Sequence, residues 1–272
     1  MTVISTIITR HFSAHASDSF VTVRHPNGAL EVVEDQAPKL VRVPAWRGIM
    51  GYWGLSRNGD DWDTLAWLRS QASGARNHES AEAFSRAIAR NLTQTLGART
   101  FANQTDRGLG IHFTAYEWVG NRWVPELFLI SNWTDPSYGA VRAEGFAVTR
   151  ETYATLKDIT DRPDHHGDPA CRLEVHAALH DTPLMFRFNN GDPLLFNGVA
   201  NAILNSFLLL SSRGHLHQPT AAATHLSIAR RPVEVVSRLV ADFVEPGRRL
   251  VGGKPHDLAV SPGGTYESTT RD

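Results

Sequence analysis

A single cysteine, Cys171, rules out any disulfide within the chain and every zinc motif built on several cysteines. An excess of either charge is also missing: 27 Lys and Arg face 28 Asp and Glu, leaving a formal charge of -1. A chain balanced in this way gives no reason to expect a phosphate-tracking surface, so nucleic acid is not an expected partner. An uninterrupted apolar run is lacking too. The longest candidate, Leu194 to Leu210, carries Asn197, Asn201 and Asn205 at a spacing that lines three amides along one helical stripe. That pattern predicts a core helix with a polar edge, and no membrane partner. The stretch from Met1 to Ser19 has no basic start, and Arg10 and His11 cut its apolar part short, so it does not read as a secretory signal. A cytoplasmic protein is the expectation, and the near-absence of cysteine fits it. There is no internal repeat and no linker long enough to separate domains.

What is present is a globular composition, 42% hydrophobic and 20% charged over 272 residues. The first part reads as β-structure: Val3 to Ile8, then Phe20 to Val23 and Ala29 to Val33 around the hairpin signal His25-Pro26-Asn27-Gly28, then Lys39 to Val43 stopped by Pro44, then Gly48 to Leu55. Helices are predicted after a cap at Asp60 or Asp61, carrying Trp62, Leu65 and Leu68, and over Ser80 to Leu96. Strands return at Gly110–Trp118 and Arg122–Asn132, joined by Gly120-Asn121. Thr149 to Asp181, rich in His, Asp and Pro, reads as an insertion at about 149–183. The asparagine-striped helix, an amphipathic helix from Pro232 to Phe243 and a last strand over Gly252–Val260 follow, with a loose tail at 261–272. Strands, two helices, strands, two helices and a strand are most economically packed as a single α+β domain over 1–260. Its form is a four-layer αββα sandwich of two antiparallel sheets flanked by helices.

Thr2 is the residue with chemical potential. Methionine is normally trimmed before a small side chain, and trimming leaves a threonine with a free α-amine of pKa about 7.7–8.0. Such an amine is a general base for the hydroxyl of its own residue. Asp18 follows sixteen positions later, and Lys39-Leu40 opens a strand after a hairpin. In these residues the chain resembles the N-terminal-nucleophile hydrolases of the proteasome β-subunit and HslV class, in which a threonine begins the mature chain, an acidic residue follows at the same interval and a Lys-apolar pair comes after a hairpin. The resemblance implies the Ntn-hydrolase fold, a threonine-type peptidase, no metal and no organic cofactor. It gives Thr2 the role of nucleophile, Lys39 that of the ammonium lowering the hydroxyl pKa, and Asp18 that of the carboxylate orienting the lysine. It places the oxyanion-hole N–H at Gly54 within Trp53-Gly54-Leu55, with Gly51 as the alternative. Trp53 would then line a substrate pocket, and Asp242 matches the family's second aspartate. Asn190-Gly191-Asp192-Pro193 resembles the family's Gly-Ser-Gly-Ser turn without its serine; Asn190 or Asp192 stands near that place.

The resemblance further implies a peptide or protein substrate and a homo-oligomer, with a ring as one form and an ATPase as a partner of unknown identity. Two other readings share the fold: a non-catalytic scaffold or assembly subunit, which the missing serine favours, and a small-molecule amidase. His176 and His180, four apart, with Asp164, His165 and His166 upstream, raise a zinc site, but no His-Glu-x-x-His pattern accompanies them. The Asn-x-Thr triplets at Asn91, Asn103 and Asn132 carry no weight without a secretory signal.

Overall fold

The computed structural model describes residues 2–24, 30–58, 61–101, 107–135, 138–152, 185–191, 195–214 and 219–270. These residues form a mixed α and β fold whose paired strands are all antiparallel. The chain begins with β1 (Ile4–Ile8), β2 (Ser13–Ser17), β3 (Val21–Arg24), β4 (Leu30–Glu34), β5 (Leu40–Val43) and β6 (Gly48–Gly54). Two short strands, β7 (Arg57–Asn58) and β8 (Trp62–Asp63), precede helices α1 (Thr64–Gly74) and α2 (Ala81–Gly97). Then come β9 (Leu109–Val119), β10 (Arg122–Ser131), β11 (Ala147–Arg150), β12 (Phe186–Asn190), helices α3 (Leu195–Ser212) and α4 (Ala222–Phe243), and strands β13 (His256–Val260) and β14 (Tyr266–Glu267). One five-stranded sheet has the order β12-β1-β2-β13-β14 and the other β11-β10-β9-β6-β5.

The period-2 alternation of side chains sorts each strand into two faces. Val3, just before β1, and Ile7, Ala14, Ala16 and Ala259 of β1, β2 and β13 pack against Leu226, Ala229, Val233 and Val236 of α4 and Phe196 of α3. From β6 and β9, Met50, Tyr52, Ile111 and Phe113 pack with Leu68 of α1 and Phe84, Ile88 and Leu92 of α2. The alternate residues turn the other way. Ile49 and Tyr116 meet Leu258 and Val260, and Thr6 and His15 meet His112 and Thr114, so the two sheets touch through faces rich in polar groups. Gly51 makes room for this approach: a Cβ there would sit 2.3 Å from Ile4 Cδ1 and 2.8 Å from Leu40 Cδ2.

Several expected boundaries shift, each for a local reason. The cap of α1 is Asp63, which accepts from Ala66 N at 2.9 Å, because Trp62 is held in β8 by Asn58. Helix α2, expected over Ser80 to Leu96, spans Ala81–Gly97, and Ser80 is its cap, its side chain accepting from Ala83 N at 3.0 Å. Helix α4 starts ten residues before Pro232 and runs through it. Proline prefers the first helical turn, which is why the sequence suggested a start there. Here Pro232 is buried on the packed face, and the helix forgoes one backbone bond. Residues 252–255 are loop and not strand. The insertion expected from 149 begins inside β11, where Thr149 and Arg150 pair with Leu129 and Phe128. Most of it, like the tip of the β3–β4 hairpin, lies outside the described residues. No helix among the described residues is long and apolar enough to cross a membrane.

The segment after residue 260 is not loose as far as Thr270. β14 pairs with β13, and the carboxylate of Asp257, fully buried, accepts from Thr269 N at 2.7 Å, from the Thr269 hydroxyl, and from Ser268 Oγ at 3.1 Å and Thr270 Oγ1 at 3.2 Å. Arg230 adds a contact from α4 at 3.5 Å. Burial pushes the Asp257 carboxyl up, but these donors and the guanidinium outweigh it and leave its pKa below the ordinary 3.8. Asp257→Ala should therefore release residues 261–270 and cost about 2 kcal/mol. Hydrogen exchange of those amides and urea denaturation at neutral pH read the two effects. Because the folded pKa is depressed, the wild-type contribution is present above pH 3.8 and fades as pH falls below it, so the two proteins converge in acid.

Candidate active site

Strand pairing carries the first residues of the chain into the interior. β1 lies between β2 and β12, and Thr2, just before it, is 3% exposed. Asp18 follows β2, on the strand antiparallel to β1, so it returns beside the start of the chain. Its backbone N–H donates to Val3 O at 3.3 Å and its Oδ1 accepts from Val3 N at 3.0 Å. The contact fixes the carboxylate relative to Thr2. Lys39 enters from the other sheet, immediately before β5. Its ammonium nitrogen donates to Thr2 Oγ1 at 2.9 Å, to Asp18 Oδ1 at 3.0 Å and to the carbonyl of Phe20 at 2.7 Å. The sequence interval from Thr2 to Asp18 to Lys39 thus closes into one hydrogen-bonded cluster.

The lysine and aspartate are both fully buried. Burial lowers the Lys39 pKa from 10.5, opposed by the charges of Asp18 and Glu34 and by the Asp18 hydrogen bond. Three acceptors surround Nζ, matching the three N–H bonds of an ammonium, and a buried carboxylate beside a neutral amine would be uncompensated. Asp18 Oδ2 also accepts from Gly252 N at 3.4 Å. That places the loop after α4 in the site, along with the carbonyl of Phe20. Backbone donors and acceptors of this kind leave no trace in residue types.

The remaining expected residues are more dispersed. Gly54 ends β6 at φ 90°, with the Gly108 carbonyl where a Cβ would be, so only glycine fits without strain. Tyr52 N donates to Lys39 O at 3.3 Å, and Gly54 stands two residues further along the same strand, about 7 Å. Gly51 faces Ile4, Leu40 and His15 in the gap between sheets. Trp53 is 2% exposed: its ring covers Gly110 and meets His112 edge-on at 5.2 Å, so it is packed and lines no open surface. Asp242 is not brought to Thr2. It lies on the last turn of α4, 58% exposed, with Arg238 at 3.9 Å. Asn190 and Gly191 do reach the site. Gly191, at φ 131°, lies so close that a Cβ would sit 2.4 Å from Thr2 O. The Asn190 side chain points elsewhere, to His112 Nε2 at 2.5 Å and Tyr138 Oη at 3.0 Å. Asp192 and the histidines at 165, 166, 176 and 180 lie outside the described residues, and no metal-holding group of three or more His, Cys, Asp or Glu occurs among those described.

Unforeseen from the sequence is a chain of polar side chains through the gap. Thr6 Oγ1 sits 3.1 Å from His15 Nδ1 and 2.7 Å from His112 Nδ1, and His15 Nε2 meets Thr114 Oγ1 at 2.9 Å. Its only sequence signal is a polar residue at alternate positions of otherwise apolar strands: Thr6, His15, His112, Thr114. The Asn190 oxygen can only accept, so His112 Nε2 carries the proton and His112 Nδ1 takes that of the Thr6 hydroxyl. Thr6 Oγ1 then accepts from His15 Nδ1, and the two neutral imidazoles carry opposite tautomers. Burial depresses both pKa values, that of His15 further by the neighbouring His112 and that of His112 to about 4.

A histidine with a depressed folded pKa stabilises above its unfolded pKa of 6.5, and the contribution fades as pH falls through the folded value. His112 should make the unfolding free energy drop by up to about 1.4 kcal/mol per pH unit between pH 6.5 and about 4, and His15 adds in the same direction below pH 6.5. Urea titrations across that window read the slope, and His112→Asn should flatten it. Compared with protein-family models and with curated proteins, the chain gives no match to either.

Proposed function

We propose that this chain is a threonine-type N-terminal-nucleophile amide hydrolase, a proteasome-like peptidase acting through Thr2. The observation that carries the reading is the buried Lys39 ammonium, 2.9 Å from Thr2 Oγ1 and held by Asp18 at 3.0 Å. The two sheets, each covered on one face by a helix pair and meeting through the other, support the four-layer αββα arrangement that such enzymes share.

The chemistry starts with removal of Met1, which frees the Thr2 α-amine. The amine takes the hydroxyl proton as Oγ1 attacks the amide carbonyl carbon. Lys39, as a cation, stabilises the negative charge on Oγ1 before the new C–O bond is made. In this reading the Gly54 N–H, on the same side of β6 as the Tyr52 N–H that meets Lys39, binds the oxyanion, a donor worth about 3–4 kcal/mol to the transition state; the Gly51 N–H points to β9 and takes no part. The tetrahedral intermediate collapses, the C–N bond breaks and the leaving amine takes its proton from the α-ammonium. Water, deprotonated by the same amine, then hydrolyses the ester on Thr2. Nothing in the cycle calls for a metal or an organic cofactor. A second reading, the non-catalytic scaffold, is favoured by one feature: the Asn190 amide is committed to His112 and Tyr138 and does not reach toward the Thr2 nitrogen as the family's serine does.

Intact mass before and after treatment with a β-lactone or an epoxyketone separates the two. The enzyme loses Met1 and gains one adduct on Thr2. A chain retaining Met1, or a trimmed chain taking no adduct, supports the scaffold. Thr2→Ala should remove hydrolysis while the protein stays folded, and Thr2→Ser should keep part of it. Lys39→Ala should lose nearly all activity and also about 3–5 kcal/mol of stability, because Asp18 is left buried without a cation. The rate profile should rise as the α-amine loses its proton and fall again at a pH below 10.5, where the depressed lysine deprotonates. Assaying peptides against small amides tests the amidase alternative, and mass in solution tests the expected homo-oligomer.

A further inference from the structure

We infer that Tyr138 is a positioning residue for Thr2, its phenol oxygen clamping the Asn190-Gly191 turn against the start of the chain. Three observations meet there. Tyr138 has φ 56°, a left-handed backbone conformation that a bulky side chain adopts only when its surroundings impose it. Its Oη accepts from Asn190 Nδ2 at 3.0 Å and from the Gly191 backbone N–H at 3.2 Å. The turn it holds touches Thr2 directly, with no room for a side chain between Gly191 and Thr2 O.

The clamp is braced on the side of the second sheet. The Tyr138 ring meets Trp133 edge-on at 5.2 Å, and Trp133 covers Gly108, where a Cβ would fall 2.0 Å from the indole. Gly108 in turn presses its carbonyl on Gly54. Tyr138 therefore stands between the two backbone positions that flank the reacting hydroxyl in the proposed mechanism. On its other side the Asn190 oxygen continues to His112 and the chain between the sheets. Asn190, its amide committed to His112 and Tyr138, serves here as the part of the turn that is gripped. Tyr138 touches no reacting atom. It acts by limiting how far the Gly191 turn, and with it Thr2, drifts from Lys39. The chemical consequence rests on the Thr2 reading above; the clamp does not.

Tyr138→Phe keeps the ring on Trp133 and removes only the oxygen. The limiting rate of Thr2 acylation by a β-lactone should fall about tenfold, the expectation for two lost hydrogen bonds that matter to geometry, with half-saturation unchanged and melting within a few degrees of wild type. The Gly191 amide should exchange faster with solvent. Equal limiting rates in the two proteins, or a loss appearing only in half-saturation, would overturn the inference. If the wild type takes no adduct, the Thr2 reading fails by itself. The clamp is then decided by Gly191 exchange, upheld if it quickens in the variant and ended if it does not.

Discussion

The Lys39–Asp18 pair is the constraint to which the interior is fitted. Taking both charges from water costs several kcal/mol each, and mutual attraction repays it only if the remaining lone pairs and protons find partners. They do: Val3 N and Gly252 N go to the carboxylate, Thr2 Oγ1 and the Phe20 carbonyl to the ammonium. Those partners come from the two residues before β1, the turn between β2 and β3, and the loop behind α4. Segments distant in sequence are thereby tied to one point. A buried pair replaced by hydrophobic residues of similar size is often no less stable. What this pair provides and an apolar replacement would not is a cation 2.9 Å from the Thr2 hydroxyl.

The layering explains how a polar site survives in the interior. Faces turned to helices hold the two large apolar clusters and keep their polar groups (Thr9, Glu117, Glu126, Arg150 and Asp257) in pairs, while the faces turned to each other carry Thr6, His15, His112 and Thr114. The gap between the sheets is left for groups that hydrogen-bond to one another. A second buried cation shows the same economy elsewhere. Arg150 reaches Glu126 at 2.6 Å and Glu82 at 3.1 Å, and Glu117 beside them accepts from Ala81 N at 2.6 Å, pinning the first turn of α2 to the sheet. His225 of α4 does likewise for the β1–β2 hairpin, donating from Nδ1 to Ala221 O and so accepting from the Thr9 hydroxyl at 2.7 Å.

Much of this was legible in the sequence because it depends on local rules. Runs of strand-forming residues gave β1, β3 to β6, β9, β10 and β13, the apolar spacing gave α2, and Gly120-Asn121, with φ of 54° and 65°, gave the turn between β9 and β10; β2, β11, β12 and β14, short or rich in polar and small residues, were not read as strands. The spacing of Thr2, Asp18 and Lys39 could be read because a hairpin and the strands around it bring fixed intervals together. Asp242, which the resemblance put in the site, lies exposed on the last turn of α4, because helix phase and the loop after it decide where a residue late in α4 points. Pro232 misled because its preference for a first turn is local, whereas its acceptance inside α4 is a matter of packing. Tyr138, Gly252 and the Phe20 carbonyl were invisible, since contacts through backbone atoms or across sheets have no signature in a single chain.

The lengths of the strands bear on how copies of this molecule can meet. Those at the borders of the two large sheets, β5, β11, β12 and β14, have four, four, five and two residues as described, whereas the interior β9 and β10 have eleven and ten. Even the long strands are flanked only in part: β6 pairs with Leu109–Thr114 of β9, and β11 with Phe128–Ser131 of β10. Among the described residues, the outer side of β10 from Arg122 to Leu127 has no strand beside it, and Pro125, which has no N–H to offer, lies within that row. A proline at such a position blunts an open strand edge against pairing with a second copy.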